Sequence, residues 1–380
     1  MVKQRIILQL FVTLFIGCMT TYLEAQTNYA AGNNASAGSG IDNTVVGANA
    51  GSSASFSGSN NSFFGSSAGE NITTGNANSF FGTRSARNNT TASFNAFFGF
   101  ATGGSNSGND NSFFGSVCGA NNRGGSQNSF FGRSAGLSNS TGSFNSFFGN
   151  SAGFSNTDGG RNSFFGSGAG SNNTEGSDNL FFGWQAGNNN STGSHNTFLG
   201  RSAGEFVSTG SNNVVLGSGA GPTSVNDDVS NRLFIDVSQS GNDDPLIYGE
   251  FDNDFVRING TFEVTAGLTN PSSRTLKNQF VSLDASTILA KLAALDIQQW
   301  TYIDRPEEKH VGPVAEDFYA AFGLGQGDQN ISTIDADGIM MLALQALKQE
   351  NEELKDRNDH LEQMQSEILQ KLDLLEKKVK

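Results

Sequence analysis

A serine and a lysine stand five residues apart where the composition of the chain changes abruptly, in the segment SSRTLK from Ser272 to Lys277. The residues before it are mostly Gly, Asn, Ser and Phe, and those after it have an ordinary globular composition. The segment can be a polar linker, or it can be a place where the chain is cut. A serine hydroxyl becomes a nucleophile only when a neighbour takes its proton, and a lysine amine can do so only in its neutral form. This spacing occurs by chance in many proteins, so the elements on either side must indicate whether the segment is a linker or a cleavage site.

The residues before this segment form a repeat of the unit Asn-Ser-Phe-Phe-Gly-x-x-Ala-Gly. The first glycine of the unit recurs every 17 residues, with one step of 16, at Gly65, Gly82, Gly99, Gly115, Gly132, Gly149, Gly166, Gly183, Gly200 and Gly217. The outermost copies have Val-Val instead of Phe-Phe, and eleven copies cover residues 43–221. A fixed period of this kind indicates a repeat architecture.

Each copy is predicted to form one coil of a β-solenoid. Seventeen residues are too few for two helices, and Gly and Asn favour tight turns with positive φ over helix. Adjacent strand residues point to opposite faces. One Phe of each pair should therefore stack in the core, while the other faces outward, where a neighbouring chain can cover it. A ladder of exposed aromatic rings is unusual on a monomer and favours oligomerisation.

Single residues within the repeat do not indicate catalysis or ligand binding. Cys118 occupies the small-residue position that Ala or Ser fills in other copies, so it is predicted to be a packing residue. His195 is an isolated histidine in a turn, and the spacing of Asp252 and Asp254 matches no complete calcium loop. We predict no metal and no cofactor. With a net charge of −14, the chain has no basic stripe for nucleic acid.

Residues 1–25 are typical of a signal peptide, with two basic residues before the apolar run Ile6–Gly17 and a cleavage position after Ala25. The alternative is the segment LFIGC, which ends at Cys18 and resembles a bacterial lipobox. Lipidation of Cys18 would attach the protein to a membrane. Both interpretations predict a secreted protein or one on the bacterial cell surface.

Residues 26–42 form a short N-terminal segment before the repeats. After the repeats, we predict a β-rich connector over residues 222–271, a small α+β module over residues 272–337, and a coiled coil over residues 338–380. The fold class is therefore mainly β, with the helices at the C-terminus.

The coiled coil is predicted from a heptad pattern in a helix expected to begin near Asp337. Large aliphatic residues recur every seven residues at Leu347, Leu354, Leu361, Ile368 and Leu375. The second seam position is partly polar and is occupied by Leu344, Asn351, Asn358, Gln365, Leu372 and Val379. Buried Asn in such a seam sets register at a cost in stability.

The C-terminal blocks resemble, in their order, the intramolecular chaperone of phage endosialidase tailspikes and related tail fibres. These blocks read SSRTLKNQF, LAALDIQQWTYI, KHVGPVAEDF and IDADGIMMLALQALKQENEEL. In that family the module trimerises three chains, guides folding of the β-fibre, and cuts itself off through a serine–lysine dyad. The resemblance implies that Ser272 is the nucleophile, Lys277 the base and Pro271–Ser272 the scissile bond. Arg274 can supply a positive field, and His310 is either an accessory group or a packing residue.

The repeats resemble the head repeats of trimeric autotransporter adhesins, most closely in NNVVLGSGAG, although their period is longer here. Taken together, the resemblances imply an exported homotrimeric fibre or adhesin-like protein with a self-cleaving C-terminal chaperone. Two alternatives stay open, an uncleaved trimer that keeps the module as a cap and a phage-derived tail fibre. Ser273 stands where the chaperone family frequently has Asp.

Overall fold

The computed structural model describes residues 28–224, 229–237, 245–263, 265, 272–303, 305–325 and 327–379. The chain forms two compact units, which divide after Thr265. The predicted signal peptide, including Cys18, and Pro271 of the predicted scissile bond lie outside the described residues.

The first unit is built on a stack of short parallel strands, each paired in register with the next. The three-residue strands are β1 (Tyr29–Ala31), β2 (Thr44–Val46), β3 (Ser62–Phe64), β4 (Ser79–Phe81), β5 (Ala96–Phe98), β6 (Ser112–Phe114), β7 (Ser129–Phe131), β8 (Ser146–Phe148), β9 (Ser163–Phe165), β10 (Leu180–Phe182), β11 (Thr197–Leu199) and β12 (Val214–Leu216). One strand per repeat confirms the predicted β-solenoid. β1 precedes the first copy recognised in the sequence, so the stack has one coil more than the repeat count.

A glycine ends each of the repeat strands. Gly115, for example, has a φ of +144°, and a Cβ on it would lie 2.3 Å from the carbonyl oxygen of Gly132 in the next coil. Only glycine fits such a position. After this glycine the chain makes a turn, and the backbone of the turn still bonds to the next coil, as in the 2.9 Å bond from Gly103 N to Cys118 O.

The core of the stack is a column of phenyl rings, one from the middle of each strand from β3 to β11. These rings are fully buried, with neighbouring centroids 4.7–5.3 Å apart. Their residues are Phe63, Phe80, Phe97, Phe113, Phe130, Phe147, Phe164, Phe181 and Phe198. Cys118 packs in the same core, as predicted, and burial raises the pKa of its thiol to about 12.

A second buried column consists of the asparagine before each strand. The Asn145 backbone N–H donates to Oδ1 of Asn128 at 2.9 Å, and Asn145 Nδ2 donates to the carbonyl oxygen of Gly159 at 2.8 Å. This pattern recurs from coil to coil and satisfies polar groups that would be costly to bury unpaired. The 16-residue step keeps it, because the Asn111 N–H donates to Asn95 Oδ1 at 3.0 Å.

Three four-residue strands close the first unit. β13 (Arg232–Ile235) pairs in parallel with β12, and β14 (Ile247–Glu250) and β15 (Phe255–Ile258) continue as an antiparallel meander. These strands agree with the predicted β-rich connector. In it, Asp252 pairs with Arg232 at 2.7 Å. Among the described residues, no cluster of His, Cys, Asp or Glu could hold a metal ion.

The second unit combines three helices with a two-stranded hairpin. The helices are α1 (Ala285–Ala294), α2 (Ala315–Phe322) and α3 (Thr333–Val379), and the hairpin strands are β16 (Gln298–Tyr302) and β17 (Arg305–Gly312). Its core is small and centres on Ile288, Phe318 and Ile339.

The helix ends follow ordinary capping chemistry. Asp284 caps α1, since its Oδ2 accepts from the Thr287 N–H at 3.0 Å. α2 ends before Gly323, which has a φ of +65°. The predicted start of α3 near Asp337 is wrong by one turn, because the Ser332 carbonyl already accepts from the Ala336 N–H at 3.0 Å.

Helix α3 has 47 residues and is about 70 Å long at 1.5 Å per residue. Its heptad leucines are exposed within one chain, for example Leu354 at 54% and Leu361 at 50%. No helix among the described residues has the length and apolar character needed to cross a membrane.

Candidate functional site

The structure brings the two residues of the predicted dyad into contact. Lys277 Nζ donates a hydrogen bond to Ser272 Oγ at 2.7 Å. A single 3₁₀ turn over Arg274–Leu276 lies between them, and Lys277 leaves the turn in an extended conformation. The five-residue spacing therefore returns the amine to the hydroxyl without help from any distant element.

Ser273 caps the turn that joins the dyad residues. Its Oγ accepts from the Thr275 N–H at 3.3 Å and lies 2.8 Å from the Thr275 Oγ1. Its carbonyl oxygen accepts from the Leu276 N–H at 3.0 Å. Ser and Asp are both good N-cap residues, so Ser273 can do here what Asp would do at the same position.

Arg274 projects from this turn onto an aromatic ring. Its guanidinium carbon lies 5.0 Å from the centroid of Phe280, a cation–π geometry. The sequence analysis considered Arg274 as a source of positive field for the lysine and did not identify Phe280. The proximity of Arg274 and Phe280 in the sequence is a weak signal, and only the path of the chain after the turn shows the contact.

The dyad is exposed to solvent in the single chain. Every residue from 272 to 284 is exposed, including the apolar side chains of Leu276 at 69%, Phe280 at 61% and Val281 at 79%. In this arrangement the amine donates to the hydroxyl. For the hydroxyl to donate its proton to the amine instead, the amine must be neutral.

His310 lies in an aromatic cluster on the hairpin. It pairs with Trp300 across β16 and β17, its ring centroid is 4.8 Å from that of Trp300, and Tyr302 packs edge-on at 5.3 Å. The His310 Nε2 and Trp300 Nε1 atoms are buried without a hydrogen-bond partner. These contacts agree with the packing role that the sequence analysis kept as one of its two alternatives for His310.

Comparison with protein families gives one match. Residues 272–323 match a family model described as chaperone of endosialidase. The match begins at Ser272 and ends at Gly323, directly after α2. No curated protein and no solved structure matches the chain. Residues 272–323 therefore carry a chaperone-of-endosialidase domain, and together with the β-solenoid they fit a tail-fibre-type protein with a C-terminal chaperone.

Proposed function

We propose that the chain is one subunit of an exported, homotrimeric fibre or adhesin-like protein that folds with the help of its own C-terminal domain. That domain gathers three chains, guides the solenoid into place, and then cuts the chain before Ser272. One observation carries the proposal: the family match begins at Ser272, whose Oγ is in hydrogen-bond contact with Lys277 Nζ. The family and the predicted signal peptide both support a location outside the cell or on its surface.

Trimer formation is supported by the heptad face of α3. Its leucines are half-exposed in one chain and need a partner helix to be buried. In a parallel in-register coiled coil, each g position faces the e position five residues later on the next chain. Three of these pairs are opposite in charge, namely Glu350 with Lys355, Arg357 with Glu362, and Lys371 with Glu376, while Met364 and Leu369 form an apolar pair.

Polar residues at the middle of the seam support the same arrangement. Asn351, Asn358 and Gln365 occupy three successive positions, where identical residues from each chain meet at one level. If the register slips by one heptad, Asn351 faces Leu344 and Gln365 faces Leu372 of a neighbouring chain, and these mismatches lower the stability of the coiled coil. These polar residues therefore favour one register of the chains at a cost in the stability of the coiled coil.

The cleavage is a peptide hydrolysis in two steps. In the first, Ser272 Oγ attacks the carbonyl carbon of Pro271 while neutral Lys277 takes the hydroxyl proton. The bond from that carbon to the Ser272 nitrogen breaks, the proton passes to the leaving amine, and an ester remains. In the second, water hydrolyses the ester, leaving a carboxylate on Pro271 and a free amine and hydroxyl on Ser272. Covering the exposed dyad by assembly would remove water and favour the neutral amine.

Intact-mass measurement of the purified protein tests the proposal. We expect wild type to give two fragments that meet at Pro271 and Ser272, and the Ser272→Ala variant to stay whole. Both should sediment as trimers before any separation of fragments. The larger wild-type fragment also shows whether the chain begins after Ala25. If each protein gives only the mass of its own uncut chain, the cleavage is contradicted.

The exposure of the dyad favours a second candidate, in which the domain stays attached as a permanent cap. Among the residues that the structure describes, no side chain shields Ser272 and Lys277 from water, and both residues are exposed. In that case the wild-type protein sediments as a trimer and its mass is that of the uncut chain. A monomeric wild-type protein contradicts both candidates.

A further inference from the structure

A second column of phenyl rings runs along the outer face of the strands. We call the outward side chains of β2–β12 the outer strip, and its rings belong to Phe64, Phe81, Phe98, Phe114, Phe131, Phe148, Phe165 and Phe182. Neighbouring rings from Phe64 to Phe165 are 4.7–4.9 Å apart and within 12° of parallel. Each ring thus covers the faces of its neighbours, and what the column presents to solvent is ring edges.

Ring edges restrict what can bind the outer strip. A flat ligand that stacks on aromatic faces finds those faces already occupied by the neighbouring rings of the column. Ring edges carry partial positive charge and pack well against other rings and aliphatic groups. The strip is therefore suited to a broad apolar protein surface rather than to a small planar ligand.

The outer strip is also free of charge. No residue in strands β2–β12 is ionisable, although the chain carries a net charge of −14. The first residue of most of these strands is Ser, Ala or Thr, which leaves room for close approach beside the rings. The array of residues 43–221 has six acidic and six basic residues, so its net charge is zero and two arrays can approach along this uncharged strip with little electrostatic repulsion.

We propose that the outer strip is the surface along which the shafts of the three chains meet, so its partner is the same strip on two further copies. This inference rests on the proposed trimer. A partner must present apolar groups at the same spacing over eight levels, and a second copy of this chain does so when it is parallel and in register. The heptad helix requires that same parallel register.

The strip continues with aliphatic residues beyond the rings. Phe182 has Leu199 as its neighbour in the next coil, and Leu216 follows, while Val46 precedes Phe64. Phe182 is 57% exposed and its ring is tilted by 29° from that of Phe165. The apolar face thus extends over all the sequence repeats, which agrees with a contact along the whole array.

Cross-linking through engineered cysteines tests the inference. The background is the full chain with Cys118→Ala, which removes the buried thiol, and Ser272→Ala, which keeps the coiled coil attached. Ser129→Cys places a thiol on the outer strip, and Ser138→Cys places one in the turn region of the same coil. Both proteins are treated with a short bismaleimide and run on a denaturing gel.

We expect Ser129→Cys to give covalent dimers, the largest product that one thiol per chain allows, with at least about tenfold higher yield than Ser138→Cys. If both proteins sediment as trimers but Ser129→Cys does not cross-link, or Ser138→Cys cross-links equally well, the inference is wrong and the proposed trimer stands. If both sediment as monomers, the inference and the proposed trimer fail together.

Discussion

The two units of the chain differ in where their apolar side chains find partners. In the solenoid, each inner phenyl ring is covered by the rings of the coils before and after it, so one chain builds a complete core. In the second unit, a core around Ile288, Phe318 and Ile339 coexists with a long helix whose leucines are half-exposed. Repetition supplies partners for the inner rings within the chain, while the leucines of the long helix stay half-exposed in the single chain.

The difference extends to polar groups. Buried asparagines in the solenoid bond to the backbone of neighbouring coils, as Asn145 does, and each coil depends on its nearest neighbours alone. In the second unit, Ser272 and Lys277 bond to each other at the surface. The inner core of the solenoid is complete in a single chain, whereas the proposed chemistry of the second unit depends on assembly.

The largest expected effect comes from placing a charge in the heptad seam. Leu361→Asp would bury three carboxylates at one level of the coiled coil, which costs several kcal/mol and should weaken trimer formation by on the order of 100-fold or more. Sedimentation measures the loss, and circular dichroism of the solenoid should not change. Gln363→Asp adds the same charge two residues away, outside the seam, and should stay trimeric. Equal sedimentation of the two variants would contradict the seam.

The next largest expected effect is that the loss of one core phenyl ring destabilises only the unit that contains it. Phe130→Ala leaves a cavity in a fully packed column and should lower the free energy of unfolding of the solenoid by about 3–5 kcal/mol. Phe318→Ala should lower the stability of the second unit instead. Calorimetry of both variants checks whether each shifts a different transition. A shift of every transition by both variants would mean that the units unfold as one.

A smaller expected effect is a pH dependence of the free energy of unfolding that comes from the buried thiol of Cys118. The folded pKa of Cys118 is about 12, raised by burial from its ordinary value of 9.0. The unfolded thiol therefore loses its proton first, and the stabilisation is complete below about pH 9 and declines toward pH 12. Between these two pH values the free energy of unfolding falls by about 1.4 kcal/mol per pH unit. Urea unfolding at about pH 8 and about pH 11 should show a steeper loss for wild type than for Cys118→Ala. Equal slopes would contradict the burial of the thiol.

The smallest effect concerns the turn that joins the dyad. Ser273→Ala removes a cap worth about 1 kcal/mol, so the turn should be populated less and cleavage should slow by about fivefold. Ser273→Asp restores the cap and should restore the rate. The rate is read from the mass of samples taken over time. If Ser273→Ala cleaves as fast as wild type and Ser273→Asp changes nothing, Ser273 does not position the dyad.

Much of the solenoid was predictable because its information is local and repeated. The pair Phe130-Phe131 is enough to place one ring inside and one outside, since strand residues alternate, and a period of 17 excludes two-helix repeats. The role of Asn145 was not predicted, although asparagine stands before almost every strand. The role of a polar residue that recurs at a buried position can be assigned only when its hydrogen-bond partners in the next coil are known.

The second unit was predictable as a sequence of elements and less so as a site. The five-residue spacing of Ser272 and Lys277 indicated a pair, and the turn that closes it is local. The start of α3 was misplaced, because several polar residues near Ser332 can cap a helix and the sequence does not rank them. The contact of Arg274 with Phe280 depends on how the chain leaves the turn, which no local pattern specifies.

The hydrogen bonds of the asparagine column also limit which duplications and deletions the array of repeats can accommodate. The short coil lacks one residue in its turn, yet Asn111 still bonds to Asn95 as its counterparts do. A genetic change that adds or removes a whole coil therefore conserves every bond and alters the length of the stack by about 4.8 Å. A change of one residue is tolerated only in the turn. Such a shaft can lengthen or shorten in fixed increments over generations while the C-terminal domain stays the same.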